Sequence, residues 1–160
     1  MTPTSMLHVL CGFLALLTGG AILFFPKGTR LHKAFGYTYV VSMVALNLSA
    51  LFIYKVFHSF GPFHAFALVS LLSVLAGFWP VFRRKTGWLK SHYEWMGWSY
   101  CGLCAAAVAE LGTHPPIQYP SALRAFFSFV APAIVFLIGR QILVKNRARF
   151  LAVFAALKSA

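Results

Sequence analysis

Five apolar runs, at about 6–25, 34–57, 62–82, 95–112 and 123–144, take up most of this chain. Each is near the roughly 20 residues that cross the hydrocarbon core of a bilayer. Lipid offers backbone amides no hydrogen-bond partner, so such a segment folds as a helix with its bonds internal. Composition agrees: 60% of the residues are hydrophobic and 10% are charged, against about 25% charged in a soluble domain. The expected fold class is all-α, an integral membrane helical bundle of about five transmembrane helices.

The charges between the runs predict an orientation. Lys27, Arg30 and Lys33 follow the first run, and Arg83, Arg84, Lys85 and Lys90 follow the third. Lys145, Arg147, Arg149 and Lys158 follow the fifth, with Arg140 close by, whereas the opposite side receives Lys55 and Arg124. The positive-inside rule then puts the N-terminus outside and the C-terminus in the cytoplasm. This distribution also argues against nucleic acid as a partner, although the net charge is +12. The basic residues punctuate membrane runs and do not build one soluble face. The partner implied is the lipid bilayer, with other membrane subunits or a homo-oligomer as further classes. Cys11, Cys101 and Cys104 all lie inside apolar runs and read as small packed residues rather than a disulfide framework.

A pattern occurs twice within this frame. His32-Lys-Ala-Phe-Gly36-Tyr37-Thr38-Tyr39 parallels His92-Tyr-Glu-Trp-Met-Gly97-Trp98-Ser99-Tyr100. Upstream of each copy lies an apolar run that itself opens on a histidine, His8 or His64. Two related helical hairpins follow, about 6–57 and 62–112, forming a four-helix core over 1–112. An outer loop and fifth span cover 113–144, and a basic amphipathic tail, read as a short interfacial helix, covers 145–160. Helix starts are signalled by Thr29 as a cap, by Pro62 in a first turn, and by the capping-box spacing Ser91-His-Tyr-Glu94. Trp79, Trp88, Trp95 and Trp98 suit an interfacial belt. Asn47, Ser49, Ser70 and Ser73 are expected to bond between helices.

Four histidines at helix starts are the strongest chemical signal. In an up-and-down bundle, His8 and His64 fall on the outer side, and His32 and His92 on the inner side. Paired imidazoles from facing helices are how a bundle holds six-coordinate haem b. Gly12 and Gly36, each four residues after a histidine, leave room for a flat macrocycle. A helix N-terminus disfavours imidazolium, and neutral imidazole is the ligating form. The leading expectation is a b-type haem protein that carries electrons across the membrane, with those four histidines as axial ligands.

An alternative is a Zn or Cu ion at an outer cluster of His8, His64, Glu110 and His114, a donor set that suits such metals. Glu110 could then act as general base in a hydrolytic reaction. A third reading is a cofactor-free structural subunit of a membrane complex. His58 falls in an outer loop. Cys101-Gly-Leu-Cys104 is a C-x-x-C, but it lies within an apolar helix. No Gly-rich phosphate loop, Ser-His-Asp order or H-E-x-x-H motif is present.

At Pro26-Lys-Gly-Thr-Arg-Leu-His32, Phe63-His64-Ala-Phe-Ala-Leu-Val-Ser70-Leu and His92-Tyr-Glu-Trp-Met-Gly-Trp-Ser-Tyr100, the chain resembles a bacterial membrane family, domain of unknown function 2306. The likeness runs from about His8 to Glu110. It implies a multi-pass protein of the bacterial inner membrane and supplies no activity. The layout of histidine pairs is also similar to that of transmembrane b-type cytochromes, an analogy of arrangement alone.

Overall fold

The computed structural model describes residues 2–54, 59–113 and 120–159. They form five long helical segments and no strand. α1 is Pro3–Phe24, α2 is Arg30–Ala50, α3 is Pro62–Arg83 and α4 is Trp88–Thr113. The fifth segment is one helical rod: α5 (Ser121–Ala125), a π-helical stretch (Phe126–Val130) and α6 (Ala131–Ser159). Pro3–Phe24, Pro62–Arg83 and Ser121–Ala152 are long and apolar enough to cross a membrane. α2 and α4, at 21 and 26 residues, are about 31 and 39 Å long, enough to span as well.

Exposure is inverted relative to a soluble protein. Phe24 is 86% exposed and Phe129 74%, while Thr18, Asn47 and Ser99 are buried. Apolar side chains facing outward suit a lipid solvent, and polar groups facing inward are satisfied there. Thr18 Oγ1 donates to the Leu14 carbonyl at 2.7 Å, and Asn47 Nδ2 donates to that of Met43 at 2.8 Å. Asn47, Ser49, Ser70 and Ser73 were expected to bond between helices. Ser49 does so, its Oγ lying 3.2 Å from Nδ1 of His8 on α1, while Asn47, Ser49 and Ser73 donate to carbonyls three or four residues back in their own helices, an option open to short polar side chains.

Local signals set the helix starts. Thr29 caps α2 by accepting the His32 N–H at 3.2 Å, which starts the helix four residues before its apolar run. Pro62 opens α3. The expected capping box at Ser91–Glu94 does not start α4. Gly87, with φ of 79°, makes the turn, and the Ser91 N–H donates to its carbonyl at 3.1 Å. The helix therefore begins at Trp88, and Ser91 lies inside it. At the other end of the first hairpin, Lys27 closes α1. Its ammonium donates to the carbonyls of Ile22, Leu23 and Phe25 at 2.5, 3.2 and 3.1 Å, so a cation sits at the negative end of the helix. The basic tail is continuous with α6 and carries on to Ser159.

The chain divides into two compact units, Met1–Val74 and Leu75–Ala160. In the first, α1 packs antiparallel on α2, with Ala15, Tyr39 and Met43 fully or almost fully buried. In the second, α4 packs antiparallel on the α5–α6 rod. Glycines set the spacing there. A Cβ on Gly97 would collide with Leu143, one on Gly112 with Ser128, and one on Gly139 with Cys101 Sγ at 2.6 Å. Helices in lipid associate by such close approach, because there is no hydrophobic drive between them. The π stretch brings the Ser128 backbone N–H within 2.6 Å of the place a Gly112 Cβ would take.

Candidate functional site

All four helix-start histidines lie within the first six residues of their helices. His8, His32 and His64 belong to the first unit, and His92 and Glu110 to the second. His114 and His58 lie outside the described residues. α4 does continue through Gly112 to Thr113.

His92 stands at the start of α4, where its Nδ1 lies 2.8 Å from the carbonyl oxygen of Gly77 on α3. A carbonyl only accepts, so Nδ1 carries the proton, and in the neutral ring Nε2 carries the lone pair. Gly77 is required for this closeness. A Cβ there would stand 2.8 Å from Met96 Sδ and 2.9 Å from the Met96 backbone nitrogen.

His8 repeats the arrangement in the first unit. Its Nδ1 lies 3.2 Å from the Leu46 carbonyl and 3.2 Å from Ser49 Oγ. Ser49 Oγ itself donates to the Leu46 carbonyl at 2.8 Å, so the hydroxyl oxygen can accept from Nδ1–H. Again Nε2 is left with the lone pair.

His64 has the opposite polarity. The Gly61 N–H donates to its Nδ1 at 3.1 Å, which requires the proton on Nε2. The residue is 4% exposed, and Nε2 has no hydrogen-bond partner. Aromatic rings flank the imidazole: Tyr54 at 4.7 Å with a 30° interplanar angle, and Phe60 at 5.1 Å and 28°. A buried N–H without an acceptor costs about 1–3 kcal/mol. Ligation through Nε2 would need the proton moved and the Gly61 bond given up.

The glycines expected to make room for a macrocycle differ. Gly36 has nothing within 4 Å of its Cβ position, whereas at Gly12 that position is 3.3 Å from Leu46 Cδ1. The expected clearance beside His8 is therefore filled, because α1 and α2 pack closely there. Among the described residues no three His, Cys, Asp or Glu side chains gather to hold a metal ion.

Sequence reasoning missed a clamp between α4 and α6. Glu94 pairs with Arg147 at 2.9 Å. Beside it the Tyr93 hydroxyl donates to the Leu143 carbonyl at 3.1 Å, and its ring stacks on Phe150 at 4.5 Å. The one available signal was that Glu94 is one of two acidic residues among 14 cations. The orienting roles of Gly77 and Leu46 are backbone contacts and leave no trace in residue type.

Apolar helices with outward hydrophobic faces, inward polar groups and glycine-spaced contacts define a helical integral membrane protein. More particularly, the chain belongs to the predicted membrane protein family DUF2306, whose model matches residues 5–138. Neither the curated proteins nor the solved structures provide a match to it.

Proposed function

We propose that this protein binds b-type haem through the imidazoles at its helix starts and passes electrons across the bilayer, with the N-terminus outside and the C-terminus in the cytoplasm. The observation that carries the reading is His92. An imidazole that ligates a metal through Nε2 characteristically donates its Nδ1–H to a carbonyl or carboxylate, which fixes tautomer and ring orientation. The hydrogen bond to Gly77 supplies that support. His8 has an equivalent support from Leu46 and Ser49.

When bound, haem would supply the one-electron chemistry. The residues here orient two imidazoles and keep their Nδ1 protons in place. His64 serves as an outer ligand only after releasing Gly61, so it is the weaker ligand of the outer side.

Haem titration into purified apoprotein tests this. Wild type should bind with a saturable Soret shift, and His92→Ala and His8→Ala should each weaken it by more than His64→Ala does. Elemental analysis of the same preparation tests the Zn or Cu alternative. Stoichiometric metal with no haem binding would replace the haem reading, and neither would favour a cofactor-free subunit.

A further inference from the structure

We infer that the turn between α3 and α4 holds the phosphate of an anionic phospholipid headgroup. A concavity of about 400 Å³ opens there, lined by Trp79, Arg83, Lys85, Thr86, Trp88 and Ser91. That volume lies within the range of about 300–1,000 Å³ typical of small-molecule sites. All six residues belong to the second unit, so the site is complete within one compact body.

Its position points to lipid. α3 is an apolar span that ends at Arg83, so the concavity lies where a span leaves the hydrocarbon and headgroups begin. Trp79, 61% exposed, and Trp88 flank it, as indole rings do at that depth. Arg83 Cζ lies 5.3 Å from the centroid of the Trp79 ring. This cation–π contact holds the guanidinium beside the indole, and a guanidinium carries several N–H donors suited to an anion.

The charge balance points to an anion. The chain has two acidic residues and 14 cations. Glu94 is paired with Arg147. Glu110 lies 22 residues beyond Trp88 on α4, about 33 Å along the helix axis. The cations of Arg83 and Lys85 must therefore be balanced from outside the chain. A guanidinium, an ammonium and the hydroxyls of Thr86 and Ser91 match the oxygens of a phosphate. Basic pockets at the ends of membrane helices take anionic headgroups for this reason. The turn is also fixed in shape. Arg84 and Gly87 hold φ of 44° and 79°, and the N–H groups of Arg84 and Trp88 donate to the carbonyls of Pro80 and Lys85 at 2.9 and 3.0 Å.

The test uses the full chain in detergent, titrated with phosphatidylcholine vesicles, with the same vesicles containing phosphatidylglycerol, or with inorganic phosphate. Lipid retention is read by native mass spectrometry and stabilisation by thermal scanning. Wild type should retain and be stabilised by phosphatidylglycerol over phosphatidylcholine. Arg83→Gln/Lys85→Gln should weaken that preference about twenty-five-fold, since each cation near an anionic lipid contributes about fivefold. Lys145→Gln/Arg149→Gln, which removes the same charge elsewhere, should leave it intact. Thr86→Val/Ser91→Ala, with both cations kept, should weaken it severalfold and covers the case in which the charge variant misfolds. Equal loss in the control variant would overturn the inference, as would an unchanged preference in Arg83→Gln/Lys85→Gln. Equal stabilisation by inorganic phosphate alone would assign the site to a free anion and overturn the lipid assignment.

Discussion

The Nδ1 nitrogen of His92 stands 2.8 Å from the carbonyl oxygen of Gly77, across the α3–α4 hairpin. The same glycine lets α3 approach the Met96 backbone. Packing and imidazole orientation thus depend on one missing Cβ. Gly77→Ala should cost about 1–3 kcal/mol, the usual penalty for overpacking, because the obstacle includes backbone and not only a flexible side chain. It should also displace the carbonyl and weaken haem binding. Thermal scans and haem titration of the same variant check both effects. Undiminished haem affinity in a destabilised protein would separate the glycine's packing role from any role in ligation.

On the other face of α4, Gly139 meets Cys101. A Cβ at Gly139 would stand 2.6 Å from the sulfur but 3.2 Å from the Cys101 Cβ. Gly139→Ala should therefore destabilise by about 1–2 kcal/mol, and Cys101→Ala should restore most of it. A coupling of about 0.5–3 kcal/mol in the double-mutant cycle is expected. Additive effects would show that the two residues do not share the contact.

Tyr93 should matter more than its charged neighbour. Glu94 and Arg147 are 31% and 43% exposed, and such pairs contribute about 0–1 kcal/mol. Tyr93→Ala removes both the Phe150 stack and the Leu143 bond, and should cost about 3 kcal/mol or more. Glu94→Gln should stay within about 1 kcal/mol of wild type. Thermal denaturation in one detergent compares them.

The helices were legible because each rests on a local signal. Apolar runs marked five segments, Thr29 marked the start of α2, and Pro62 that of α3. The capping-box reading at Ser91 failed because Gly87 had already turned the chain, a backbone choice that the Ser–Glu spacing does not record. The four histidines could be found, but not their protons. The tautomer of His92 depends on Gly77, fifteen residues away, and that of His64 on the Gly61 N–H. The Glu94–Arg147 pair joins positions 53 residues apart, with no periodicity to announce it. Likewise the packing at Gly12 depends on Leu46 of another helix.

The proposed orientation rests on 11 basic residues at the three expected inner segments against Lys55 and Arg124 on the other side. Single cysteines placed at Ser59 and Thr86, in a background with the native cysteines replaced, read it directly. An impermeant maleimide applied to intact cells should label Ser59→Cys and spare Thr86→Cys. The reverse pattern would invert the topology.

Haem ligation is the claim on which the functional account rests, and a reduced-minus-oxidised spectrum of protein purified from haem-replete cells tests it most directly. Wild type should show the sharp α-band of bis-imidazole haem on reduction, and His92→Ala should lose or shift it while keeping its helical content. A colourless wild type that also fails to take up added haem would contradict the account.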